Sequence, residues 1–240
     1  MSVPVTTAVA LRVLAQLRRD PRTVALLVGV PVLLVLLLKY VFEGRAFVFD
    51  RIGGPLLGLF PFISMFLVTS VTMLRERLSG TLERLMTLPL AKLDLLAGYA
   101  LAFALVAAVQ AAVVSVVGFG LLGLDVEQSH GAVVALAIGN ALLGMSLGLF
   151  ASAFARTEFQ AVQFMPAFVF PQLLLCGLFS PREAMAAPLE AISYALPLTY
   201  AYDALAGAAD GTLARDVAVT VGTTLLALVL GAATLRRRTP

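Results

Sequence analysis

Cysteine and histidine are almost missing from this chain, with Cys176 and His130 the only ones in 240 residues. A lone cysteine forms no disulfide within the chain and builds no cysteine metal site. Charged residues make up only 13% of the sequence. No Asp, Glu, Lys or Arg falls clearly in the middle of a long apolar run, which removes the usual position for a proton relay or a coupled ion. There is also no G-x-x-x-x-G-K-[ST] segment, so the chain has no P-loop with which to cradle nucleotide phosphates.

What is present is apolar. Hydrophobic residues account for 60% and the mean hydropathy is +0.99, outside the range of an ordinary soluble domain. Six runs are near the length needed to cross about 30 Å of hydrocarbon. They are Thr23–Phe42, Ile52–Leu74, Leu95–Leu124, Ala132–Phe154, Phe159–Phe179 and Val217–Leu235. The third is long enough to tilt. The expectation is an all-α membrane protein of six transmembrane helices, forming a single transmembrane domain over residues 1–240. Residues 1–22 read as an interfacial helix, with Ala8, Leu11, Ala15 and Leu17 on one side and arginines on the other; a merely basic leader is the alternative. Pro31 and the continuing spans argue against a cleaved signal.

The net charge of +3 does not indicate nucleic acid, because the basic residues sit at the ends of apolar runs. With six spans both termini share a side. That side carries Arg12, Arg18, Arg19, Arg22, Arg75, Arg77, Arg84, Lys92, Arg156, Arg236, Arg237 and Arg238, while the other carries Arg45, Arg51, Arg182 and Arg215. Lys39 lies near a span end and can snorkel. The bias places both termini in the cytoplasm.

Two connections stand out. The cytoplasmic one, residues 75–94, contains Ser79-Gly80-Thr81 followed by Glu83, a helix start with a capping residue. Leu82, Leu85, Met86 and Leu88 give that helix an apolar face, and Pro89 stops it. The external one, residues 180–216, is divided by Pro181, Pro188 and Pro197, and its pieces read as short helices dipping back into the outer leaflet. A loose surface loop is the alternative, and the Leu198, Tyr200 and Tyr202 content disfavours it.

Polar residues inside the runs are unionised: Gln110, Asn140, Gln160, Gln163 and Gln172. Interhelical hydrogen bonding and substrate contact both suit them. Arg156 and Glu158, at the mouth of the fifth run, suit an ion pair or a gate. Gly144-Met145-Ser146-Leu147-Gly148 matches the G-x-S-x-G nucleophile pattern, but a serine nucleophile needs a base, and the sole histidine, His130, sits in the opposite, external loop region before this run. The glycines instead suit close helix packing.

The stretch RERLSGTLERLMTLPL, followed by LDLLAGYALAFALVAAVQ, resembles the membrane subunit of type-2 ABC exporters. The family pattern E-x-x-x-G-T-L-E-x-L ending in Pro is met by Glu76, Gly80, Thr81, Leu82, Glu83, Leu85 and Pro89. A second likeness is FSPREAMAAPLEAISYALPLTYAYDAL, with its P-x-T-Y element at Pro197, Thr199 and Tyr200. The likeness covers nearly the whole chain and looks closest to the small drug-resistance exporters.

The resemblance implies a permease that is not itself an enzyme and binds no cofactor, energised by separate ABC ATPase subunits that hold ATP and Mg. Gly80 to Met86 becomes the coupling helix: Leu82, Leu85 and Met86 offer a packing face, while Glu76, Glu83 and Arg84 supply charge contacts. A second copy or a similar permease completes a dimer in membrane lipid, in a bacterial cytoplasmic membrane, with no nucleic acid involved. Phe60, Phe62, Met65, Phe66, Phe164, Met165 and Phe168 are candidate lining of the path, with ordinary helix or lipid packing as the alternative. Asp203 is placed to tie the external segment down. The cargo class implied is amphipathic or lipid-like. An ion- or proton-coupled carrier, a polysaccharide exporter and an intramembrane enzyme are the competing readings.

Overall fold

The computed structural model describes residues 2–86, 92–207 and 211–234. Among the described residues all regular structure is helical. The elements in chain order are α1 (Val3–Arg18), α2 (Pro21–Val41), α3 (Ala46–Leu78), α4 (Thr81–Met86), α5 (Lys92–Val116), α6 (His130–Ala151), α7 (Glu158–Phe164), α8 (Phe170–Leu175), α9 (Ala187–Ser193), α10 (Pro197–Leu205) and α11 (Leu213–Thr234). Among the described residues, five helices are long and apolar enough to cross a membrane: α2, α3, α5 with its extension to Leu121, α6 and α11.

The sixth expected run behaves differently. Instead of one helix over Phe159–Phe179, the chain forms α7, a π-helical turn over Met165–Val169, and α8, ending at Leu175. Pro166 and Pro171 explain the interruption. Each lacks an N–H and its ring crowds the carbonyl four residues back, so the helix widens locally. Beyond Leu175 the chain bends through Gly177, whose φ of +106° suits glycine alone. The third run also ends in a π turn, Val117–Leu121, and then turns at Gly123 with φ +62°.

The centre of the bundle is the pair α3 and α6. They run parallel: Gly58 lies against Ala137, Phe62 against Gly144 and Phe66 against Gly148. A Cβ on Gly144 would overlap the Phe62 carbonyl, and one on Gly148 would overlap the Thr69 hydroxyl and the Phe66 carbonyl. Small residues four apart thus bring two backbones together, which is the main source of association between helices in lipid. The Thr69 hydroxyl adds an interhelical bond to the Met145 carbonyl at 3.1 Å. Peripheral α2 and α11 are mostly exposed outside this pair.

α1 packs on the bundle through one face. Its packed face is Val9, Ala10 and Val13, while Ala8, Leu11 and Ala15 stay exposed. Val9 comes close enough to α5 that a Cβ at Gly98 would strike it. Arg12 shares the packed face and turns inward, because residues 9, 12, 13 and 16 lie on one side of a helix.

Candidate functional site

The charged loop and the helices around it form the first candidate region. α3 runs on to Leu78, and Gly80 at φ +69° redirects the chain into α4. The Ser79 hydroxyl lies 2.9 Å from that of Thr81. Within α4 the Leu85 side chain packs against the core between α1 and α5, and Arg84 is exposed. The side chains of Leu82, Glu83 and Met86, and residues Leu88 and Pro89, lie outside the described ones.

Both stems of this loop are attached to α1. On the entry stem, Arg12 Nη2 donates to Glu76 Oε1 at 2.7 Å and to the Tyr99 hydroxyl at 2.7 Å. Gln16 Nε2 donates to the same Glu76 oxygen at 3.2 Å. On the exit stem, the Ser2 backbone N–H donates to Asp94 Oδ1 at 3.0 Å. Glu76 and Asp94 are buried, 6% and 4% exposed. Glu76 therefore faces the bundle interior. The spacing of Arg12 and Gln16 with Val9 and Val13 was the signal for this attachment, and it was legible only as a face of α1.

Glu158 pairs with Arg75 of α3 and not with Arg156. Arg75 Nε and Nη2 each donate to one carboxylate oxygen at 2.8 Å, a two-pronged contact. Both side chains are exposed, at 61% and 47%. Gln160 caps locally instead, accepting from the Arg156 N–H at 2.8 Å. Beside it an open cavity of about 430 Å³ is lined by Phe154, Arg156, Gln163 and Phe164.

The candidate path residues divide. Phe62, Met65 and Phe66 are fully buried, and Phe62 and Phe66 lie where α3 meets α6. In the single chain these three have no surface from which to line a passage. Phe60, Phe164 and Met165 are half-buried, and Phe168 is exposed.

The external segment is held at several points. Arg182 Nη1 meets Asp203 Oδ2 at 2.7 Å, with both side chains mostly buried. Burial pushes the Asp203 carboxyl above the usual carboxylate range, and Arg182 pulls it back. Pro197 opens α10 as a first-turn residue, where its missing N–H costs nothing. The Thr199 hydroxyl donates to the Ser193 carbonyl and the Tyr200 hydroxyl to the Tyr194 carbonyl, both at 2.7 Å. The Arg215 guanidinium lies 5.6 Å from the Tyr200 ring centre. Gln172, in the broken fifth run, accepts from the Leu198 N–H at 3.4 Å. Sequence reasoning named Asp203 but missed its partner; Arg182, directly after Pro181, was the available signal.

Among the other intramembrane polar residues, Gln110 Nε2 donates to the Leu27 carbonyl at 2.8 Å and to the Ser64 hydroxyl at 2.5 Å, joining α2, α3 and α5. Ser146 is buried and bonded to the Leu143 carbonyl of its own helix at 2.9 Å. His130 stacks on Phe119 with ring centres 4.2 Å apart. It starts the helix that carries Ser146, about 24 Å away along the axis at 1.5 Å per residue. The G-x-S-x-G match is a helix-packing feature.

Architecture and polar attachments together define a multi-pass helical membrane protein with an anchored charged loop at one end and a tied segment at the other. The chain belongs to the ABC-2 type transporter family, which it matches over residues 5–209. It is a type-2 ABC permease. It is 29% identical over 151 residues to the probable multidrug ABC transporter permease YbhR of Escherichia coli (strain K12), covering 62% of this chain and 40% of that one. It is 26% identical over 156 residues to the ABC transporter G family member 20 of Dictyostelium discoideum, covering 65% of this chain and 21% of that protein. The matched segments thus span less than half the length of either relative.

Proposed function

We propose that this chain is the permease of an ATP-driven exporter, with α4 as its coupling helix on the cytoplasmic side. The observation that carries the reading is the double attachment of α1 to Glu76 and Asp94, one on each stem of the charged loop. A force applied to α4 would reach α3, α5 and α1 together, because hydrogen bonds link α1 to α3 and α5 and Leu85 packs α4 against the same core. In this reading separate ATPase subunits bind ATP and Mg, and their closure moves α4. That shifts the permease between inward-open and outward-open populations. Gly80, Thr81, Leu82, Glu83, Arg84, Leu85 and Met86 form the contact. Glu76 acts from inside the bundle.

The broken helix Glu158–Leu175 is the fifth of six spans, and both termini are cytoplasmic, in keeping with the distribution of arginines. α9 and α10 dip back into the outer leaflet, held by Pro197, Thr199, Tyr200 and Asp203. A second permease, identical or similar, completes the path. Phe168, Phe164, Met165 and Phe60 are the candidate lining that retains exposed surface, and they suit amphipathic or lipid-like cargo. The name of one relative, probable multidrug ABC transporter permease YbhR, agrees with that cargo class.

The test is co-purification of the tagged chain with the ATPase encoded beside it, for wild type and Leu82→Asp. A complex formed by wild type and lost in the variant supports the assignment. A well-folded wild type without a complex points to an autonomous carrier, and a complex retained by Leu82→Asp removes the coupling role from α4.

A further inference from the structure

The chain reverses sharply between α1 and α2, with only Arg19 and Asp20 between the two helices. Arg18, Arg19 and Arg22 crowd this elbow, and all three are exposed. None of them forms an ion pair among the described residues. The one carboxylate between them, Asp20, is engaged with Thr23, accepting from its N–H at 3.1 Å and from its hydroxyl at 2.6 Å.

Exposed arginines alone are satisfied by water, but the surfaces that converge on these are not. On α1, Pro4, Ala8, Leu11 and Ala15 form an exposed row along one side of the helix, and Arg18 ends it. On α2, Leu26, Val30, Leu33 and Leu37 form a second row, 64%, 42%, 51% and 49% exposed. Arg22 stands four residues before Leu26 on the same side, at the head of that row. α2 is long and apolar enough to span a membrane and little of it is buried in the bundle, so its row meets acyl chains. Helix side chains tilt towards the N-terminus, which carries the Arg22 guanidinium out of the hydrocarbon to headgroup level.

We propose that the α1–α2 elbow binds an anionic phospholipid. Its phosphate is held by Arg18, Arg19 and Arg22, and its acyl chains lie along Leu26, Val30, Leu33 and Leu37. Guanidinium groups suit phosphate because each offers paired N–H donors, and basic residues beside a span attract anionic headgroups. A zwitterionic lipid brings its own ammonium and gains less from three cations. The site goes beyond the exporter reading: it is apart from the proposed path and needs no ATPase. It seats α1 on the membrane, while another side of the same helix holds Glu76.

The sequence contains no tryptophan, so Leu26→Trp places a sole indole beside the site. The full chain carrying it is reconstituted, without ATPase, in vesicles of phosphatidylglycerol and phosphatidylcholine with dibrominated acyl chains on one lipid or the other. Bromine quenches an indole only at contact, so quenching reports the local lipid composition. Phosphatidylglycerol should be enriched at position 26 about fivefold over its share of the vesicle. Leu105→Trp, on an exposed side of α5, should report the bulk composition. Adding Arg18→Gln, Arg19→Gln and Arg22→Gln to the Leu26→Trp chain should bring position 26 to parity. Raising the salt concentration should lower the enrichment while these arginines are intact, and that arm decides alone if the multiple variant does not fold. No enrichment at position 26 would overturn the proposal and leave the arginines to an acidic protein surface. Equal enrichment at position 105, or enrichment unchanged by the substitutions or by salt, would overturn it as well.

Discussion

Arg12 and Glu76, 64 residues apart in sequence, meet at 2.7 Å beneath the charged loop, and the same guanidinium nitrogen also reaches the Tyr99 hydroxyl. One side chain of α1 therefore binds both α3 and α5. Glu76 is nearly inaccessible to solvent, so its charge depends on this partner rather than on water.

Arg12→Ala should be strongly destabilising, by about 3 kcal/mol, because it leaves Glu76 buried without its cation. The double variant Arg12→Ala/Glu76→Gln should recover much of that loss. A thermal-unfolding cycle over the four proteins measures the coupling, and additive losses would show that the pair is not energetically linked.

The glycines of α6 offer a contrast within one helix. Gly148→Ala places a methyl against the Phe66 carbonyl and the Thr69 hydroxyl, whereas a methyl on Gly139 meets nothing within 4 Å. Gly148→Ala should lower stability by at least about 2 kcal/mol through forced separation of α3 and α6. Gly139→Ala should be neutral or stabilising by up to about 1 kcal/mol from reduced freedom of the unfolded chain. Yields of folded protein and unfolding midpoints distinguish the two.

Asp203 makes the external segment sensitive to pH. Its folded carboxyl titrates above the ordinary value of 3.8, so the folded state binds the proton more tightly than the unfolded one. The stability it contributes is full below that ordinary value and is lost as pH rises through the raised one. Asp203→Asn should flatten the stability profile in the window just above pH 3.8. Arg182→Gln should extend the loss to higher pH, since it removes the cation that favours the charged form. Unfolding midpoints across a pH series report both.

Arg75 and Glu158 form the exposed counterpart. Despite ideal two-pronged geometry, a solvent-screened pair contributes at most about 1 kcal/mol. Arg75→Gln should shift the unfolding midpoint by no more than a few degrees, and raising the salt concentration should reduce even that difference. A large loss of stability at high salt would show a structural role that exposure argues against.

Much of this protein follows from composition alone. Long uncharged runs are stable only where lipid replaces water, so the helical membrane class was legible without coordinates. The charged loop between α3 and α5 was equally plain, because Arg75, Glu76 and Arg77 interrupt apolar surroundings. Hydropathy could not predict the break at Met165–Val169, since Phe164, Met165 and Phe168 are as apolar as their neighbours and only the backbone consequence of Pro166 and Pro171 divides the run. Nor could it assign Phe62 and Phe66 to the α3–α6 contact, because lipid-facing and buried positions are chemically alike in a membrane helix.

Partnerships are the remaining division. Local chemistry chose the helices, their caps at Asp20, Ser129 and Thr157, and the turn at Gly80, since each depends on residues within a few positions. The pairing of Glu76 with Arg12, of Glu158 with Arg75 instead of the nearby Arg156, and of Asp203 with Arg182 was settled only when the helices packed. A charge finds its partner through distance in space, and neighbourhood in the chain does not encode that distance.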